Sequence, residues 1–181
     1  MPSISDTLFA FTEWLRTTPL VDLALWISNT PLCLWIGSHF WAIPIIQTTH
    51  ILAIASAFGA VLMINMRILG LSGGTRTMSQ TVRRYMPWIW WALLVLIVSG
   101  IGMIIGEPVR ELVNPIFWIK MALVVVVILA SLWFQSSVSR NMATWETTHD
   151  GRVAVRVAAV AVILLWCAVM FGGRWIAYAP V

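Results

Sequence analysis

The chain has 181 residues, of which 60% are hydrophobic and 10% charged, with a mean hydropathy of +0.90. Soluble domains carry about 25% charged residues, so the composition excludes an ordinary soluble domain and points to an integral membrane protein. The net charge of +4 comes from basic residues scattered among apolar segments, with no stripe or patch, which excludes nucleic acid and leaves those charges to report membrane orientation.

In chain order, Ser3-Ile4-Ser5-Asp6 has the form of a capping box. Leu8, Phe11, Trp14 and Leu15 then recur at helical spacing opposite Asp6, Glu13 and Arg16, which predicts an amphipathic helix lying in the interface. The start lacks the basic residues and small-residue cleavage site of a secretory signal, so the mature chain is expected to begin at or near Met1. Thr18-Pro19 opens a second short helix, and Asn29-Thr30-Pro31 breaks it after too few residues to cross a bilayer. Residues 1–37 therefore read as a surface or re-entrant collar, with Trp14, Trp26 and Trp35 as interfacial aromatics.

Residues 38–181 read as a four-helix transmembrane domain with spans at about 40–68, 87–105, 116–135 and 153–173. The predicted fold is an all-α membrane bundle with an N-terminal interfacial collar. Pro44 is expected to kink the first span. Asn114-Pro115 should start the third span, and Ser99-Gly100-Ile101-Gly102 in the second is small enough for close helix contact or for a ligand. The long loops after the first and third spans carry seven arginines against two carboxylates, whereas the other side carries four cations against five carboxylates. By the positive-inside rule the termini face outward, into the periplasm of a bacterium.

The first span contains no charged residue between Phe40 and Met66, yet holds Gln47-Thr48-Thr49-His50. His50 falls about 15 Å below the Phe40 end, near the bilayer midplane, where an ionisable group is a functional candidate. His50, Ala53, Ala57 and Ala60 share one helical face, an imidazole above small residues that a flat cofactor would need. The same face also serves a structural histidine bonded across closely packed helices. Lys120, the only lysine, lies inside the third span, where it either snorkels to the interface or points inward at an anionic ligand group. Arg174, at a similar height in the fourth span, is a second candidate cation or an interfacial anchor.

His39 shares the face of His50 but stands about 16 Å away, so the two cannot ligate one metal. His149 reads as a solvated loop histidine. Cys33 and Cys167 lie in apolar surroundings without metal-ligand spacing and are expected as buried free thiols. No acidic residue lies within a span and no nucleophile–base pairing is visible, so hydrolytic catalysis has no support.

Trp41 to Leu71 with THILAIA and MRILGLSGG, the Arg83-Arg84 loop, Asn114-Pro115 followed by Lys120, and the closing Gly173-Arg174-Trp175-Ile176-Ala177-Tyr178 together resemble a bacterial family of small four-span membrane proteins of unknown function. In that family an aspartate usually stands two positions before the arginine of the first span, and here Asn65 replaces it before Arg67. More distantly, the helices with His50 and Lys120 are similar to those of the four-helix membrane protoporphyrinogen oxidases, and IKMALVVVVILA is similar to the copper-resistance D membrane domain. The first of these distant resemblances implies haem b at His50, with His50 as metal ligand and Lys120 nearby; the helical face of His50 and the height of Arg174 would set Ala53, Ala57 and Arg174 around that cofactor.

The expected function is then a haem-binding electron-transfer protein of the bacterial inner membrane, exchanging electrons with a quinone or a periplasmic redox protein, as a homo-oligomer or a subunit of a membrane complex. The alternatives are a non-enzymatic accessory subunit of a respiratory or photosynthetic complex, and copper or small-solute transport. The opposite iron ligand is left open among a methionine, Lys120, an empty position and a subunit-shared site.

Overall fold

The computed structural model describes residues 4–71, 78–140 and 149–175, which form helices and no strand. In order these are α1 (Ile4–Arg16), α2 (Leu20–Ser28), α3 (Pro31–Ser38), α4 (Ala42–Ile68), α5 (Met78–Gly106), α6 (Pro108–Leu112), α7 (Pro115–Arg140) and α8 (His149–Trp175). Three are long and apolar enough to cross a membrane: Ala42–Ile68, Gln80–Gly106 and Val153–Arg174. The bent pair α2–α3, with 64° between its halves, becomes a fourth if it acts as one broken span. The described apolar part of α7, Pro115–Ser131, is shorter, about 26 Å against a hydrocarbon thickness near 30 Å.

Local chemistry explains the boundaries. Thr30 caps α3 by accepting from the Cys33 N–H at 3.4 Å, and Pro31 takes the first helical position, where its missing N–H costs nothing. Asn114 does the same for α7, its Oδ1 accepting from the Ile116 N–H at 2.9 Å ahead of Pro115. Pro44 falls in the first turn of α4, among the N–H groups that have no partner inside a helix. The expected kink thus loses its physical basis. Within α5, Pro87 lies in the interior, and the helix begins well before the second predicted span.

The chain divides into two compact units, one of Met1–Ala53, Leu94–Met121 and Phe171–Val181, the other of Ile54–Leu93 and Ala122–Met170. In the first, α2 packs on α6, and Ala24, Leu112, Ile116 and Phe117 form a buried cluster flanked by Leu8, Ile27 and Ile104. α5 brings glycines to this unit. A Cβ at Gly102 would stand 3.3 Å from Ile46 Cγ2, and one at Gly106 3.3 Å from Ile36 Cγ2, so both positions let α3 and α4 approach closely. In the second unit Ala57, Ala60, Val61, Ile64 and Asn65 of α4 are buried, as are Ala159, Val162 and Trp166 of α8.

Trp14, Trp26, Trp35, Trp88, Trp90 and Trp91 are exposed, as aromatics facing lipid headgroups would be. Cys33 is half-buried and Cys167 exposed, which corrects the expectation of two buried thiols. The apolar neighbours that suggested burial lie along helices whose outer faces are themselves apolar, so sequence surroundings did not report an inward orientation. Segment 72–77, which holds Arg76, segment 141–148, which holds Glu146, and the terminal Ile176-Ala177-Tyr178 lie outside the described residues, as does the side chain of His149.

Candidate functional site

The first unit collects the polar groups of interest. His50 is half-buried on α4, and its Nδ1 lies 2.8 Å from the Ser99 Oγ of α5. Ser99 is buried, and its hydroxyl donates to the Val95 carbonyl at 2.6 Å. A serine hydroxyl has one proton, and the Val95 carbonyl takes it. The Ser99 oxygen is therefore left to accept from the His50 Nδ1–H, which fixes the imidazole as the Nδ1–H tautomer with its lone pair on Nε2. Gly100 lies beside the ring, since a Cβ there would meet His50 Cε1 at 3.7 Å.

Lys120 projects from α7, half-buried, and its Nζ would stand 3.4 Å from a Cβ at Gly173 of α8. A glycine at that place leaves room for the lysine chain to lie across α8. Lys120 acts electrostatically on both His50 and Glu111, which places the cation within range of each. Lys120 thus lies against α8, half-buried, within electrostatic range of His50 and Glu111.

Glu111 is one of the five carboxylates counted on the side of the termini. It lies on α6, is 7% exposed, and lines a cavity of about 10 Å³ between Ile46 and Gln47 of α4, Gly102 and Met103 of α5, and Glu107. That volume is room for one water. Burial pushes the Glu111 carboxyl above the usual carboxylate range, Lys120 and Arg110 oppose the shift, and Glu107 adds to it. Glu107 itself is paired with Arg110 at 2.6 Å.

The other predicted residues divide. Ala53 is buried at 6% beside the His50 face, while Ala57 is fully buried in the second unit. The small-residue stripe is covered by protein in both. Arg174 is exposed in the last turn of α8, next to Gly173. His39 closes a local turn, its Nδ1 lying 2.8 Å from the Trp35 carbonyl and its ring tilted against Trp35 and edge-on to Trp41, which accounts for it without a ligand. Among the described residues no three His, Cys, Asp or Glu side chains are grouped to hold a metal ion.

Sequence reasoning missed Ser99 as the partner of His50 and Glu111 as a buried acid. The first had a visible signal, a serine ahead of Gly100 and Gly102 in an apolar span. The second had none beyond its apolar neighbours Leu112 and Val113.

Apolar helices of spanning length around a histidine, a lysine and a buried carboxyl define an all-helical, multi-pass membrane protein. Within that class the chain belongs to DUF6644, a family of unknown function whose model matches residues 23–179. Neither the proteins of curated function nor the solved structures include a match to the chain.

Proposed function

We propose that the protein is a b-type haem-binding electron-transfer subunit of the bacterial inner membrane, with His50 as an axial ligand through Nε2. The observation that carries this reading is the 2.8 Å contact between His50 Nδ1 and Ser99 Oγ, in which the imidazole is the donor because the serine proton goes to Val95. Imidazoles that bind a metal almost always donate their other N–H in this way, which fixes the tautomer and raises ligand basicity. Haem bound at such a ligand supplies reversible one-electron chemistry, with a potential set by axial ligation, nearby hydrogen bonds and burial.

The donor set fits that group in kind. His50 offers a nitrogen lone pair, Gly100 keeps the wall beside the ring flat, and Lys120 with Arg174 provides cations of the kind that pair with propionates. His50 holds the ligand position, Ser99 orients its ring, and the apolar flanks of α4 and α5 keep water away. The electron partner is a quinone or a periplasmic redox protein, with the termini on the periplasmic side as the arginine distribution favours.

The test is spectroscopic. Full-length protein expressed with haem supplementation and purified in detergent should carry a Soret band and about one haem per ligand histidine. A colourless, folded protein under those conditions overturns the proposal.

A further inference from the structure

We propose that Glu111 is the proton-exchange group of the His50 site, trading its carboxyl proton with the aqueous face beyond α6 through a single water held between Glu111 and Gln47. The coupling to His50 rests on the haem reading above; the proton exchange at Glu111 does not.

Three observations of geometry support it. Glu111 is 7% exposed and lines the cavity, and its carboxyl has no hydrogen bond and no ion pair among the described residues. An acid so placed either meets a water or stays protonated, because an unpaired buried carboxylate is costly. The cavity has the volume of one water, and the Glu111 and Glu107 carboxyls with the Gln47 amide supply the two to four polar partners a buried water needs. Glu107 is one-third exposed, so the same cavity reaches the surface through it.

The cavity also adjoins the His50–Ser99 pair. Gln47 precedes His50 by three residues on α4, and Gly102 and Met103 follow Ser99 by three and four on α5, so the cavity lies one helical turn from the pair on both helices. The charged groups acting on Glu111 are Lys120 from α7, Arg110 from its own helix and Glu107 from the end of α5. Lys120 acts on His50 as well. Glu111 and His50 thus lie in the field of one cation.

The balance is one electron and one proton. Were a one-electron carrier held at His50 to gain an electron from a protein redox partner, uptake of one proton from the aqueous face by the Glu111 carboxylate would leave the net charge of the unit unchanged, and release of that proton would accompany the electron's departure to an acceptor. Burial of the site supplies the reason, since an uncompensated charge in a low-dielectric interior is unfavourable.

The experiment is an infrared pH titration of the full-length chain in detergent, following the carbonyl stretch of protonated carboxyls. The wild type should show a band that titrates above the ordinary glutamate range and shifts in heavy water. Glu111→Gln should remove it, Glu111→Asp should retain an exchanging band, and Lys120→Met should move its titration to higher pH by deleting the cation that opposes protonation. A band untouched by Glu111→Gln, or insensitive to Lys120→Met, overturns the inference. In haem-loaded protein the midpoint potential should fall with rising pH through that titration, and Glu111→Gln should flatten the slope. An unchanged slope in a haem-containing Glu111→Gln protein refutes the coupling, whereas absence of haem refutes the ligand assignment and leaves the infrared result to decide proton exchange.

Discussion

Replacing Ser99 by alanine isolates the interaction on which the His50 assignment depends. The substitution removes one oxygen, the acceptor 2.8 Å from His50 Nδ1, and with it the bond to the Val95 carbonyl at 2.6 Å. Alanine is the best helix former, and the Val95 carbonyl keeps its ordinary helical partner, so α5 should not suffer. The loss falls on His50. Its Nδ1–H becomes unsatisfied, the tautomer is no longer held, and the ring is free to turn about its side-chain bonds. A net hydrogen bond is worth about 0.5–1.5 kcal/mol, and removing a buried partner costs about 1–3. Outer-shell substitutions at metal-bound histidines weaken binding about 10–100-fold, equivalent to about 1.4–2.8 kcal/mol, so the two scales agree. Haem titration of the purified apoprotein, followed by its absorbance, should therefore give a dissociation constant about 10–100-fold larger in Ser99→Ala than in the wild type, at equal helix content. An unchanged constant would refute the reasoning, since the histidine would then be oriented by something else.

Four further outcomes are expected. Gly102→Ala should lower the melting temperature of the detergent-solubilised protein, since its Cβ would stand 3.3 Å from Ile46 Cγ2 and overpacking costs about 1–3 kcal/mol. Gly59→Ala should raise it, because nothing lies within 4 Å there and alanine gains about 1 kcal/mol over glycine in a helix; equal shifts would contradict the packing at Gly102. For Glu111 the folded value is raised above 4.5, so its contribution to stability is present at acid pH and lost as pH rises through the folded value. Thermal melts from acid to neutral pH should show that decline in the wild type and a flatter profile in Glu111→Gln; parallel profiles would mean the carboxyl does not titrate differently on folding. For orientation, a reporter active only in the periplasm should work when fused after Val181, and a cytoplasmic one when placed near Thr75 or Thr148, with the reverse pattern inverting the topology.

The parts of the structure legible in the sequence are those whose causes are local. Thr30-Pro31 and Asn114-Pro115 mark helix starts because a side-chain acceptor and a proline act within three residues of each other. The long apolar runs of α4, α5 and α8 follow from composition alone. His50 stood out for the same reason, as a polar group within an uncharged span. What pairs with it did not, because the Ser99 contact depends on the register of α4 against α5 across 49 residues of sequence. Glu111 did not stand out because a short helix between two spans carries no periodicity from which an inward face can be read. The alanine stripe was legible as a face but not as a groove. Ala53 and Ala57 are covered, since small residues serve close helix packing as readily as ligand binding.

The most direct test of the central claim is the absorption spectrum of purified full-length protein, wild type against His50→Gln, after expression with added haem. Glutamine keeps hydrogen-bonding capacity toward Ser99 but is a poor iron ligand, so a structural role tolerates it and an axial role does not. The account predicts a Soret band in the wild type that is lost or strongly reduced in the folded variant; a full and unshifted band in His50→Gln would contradict it.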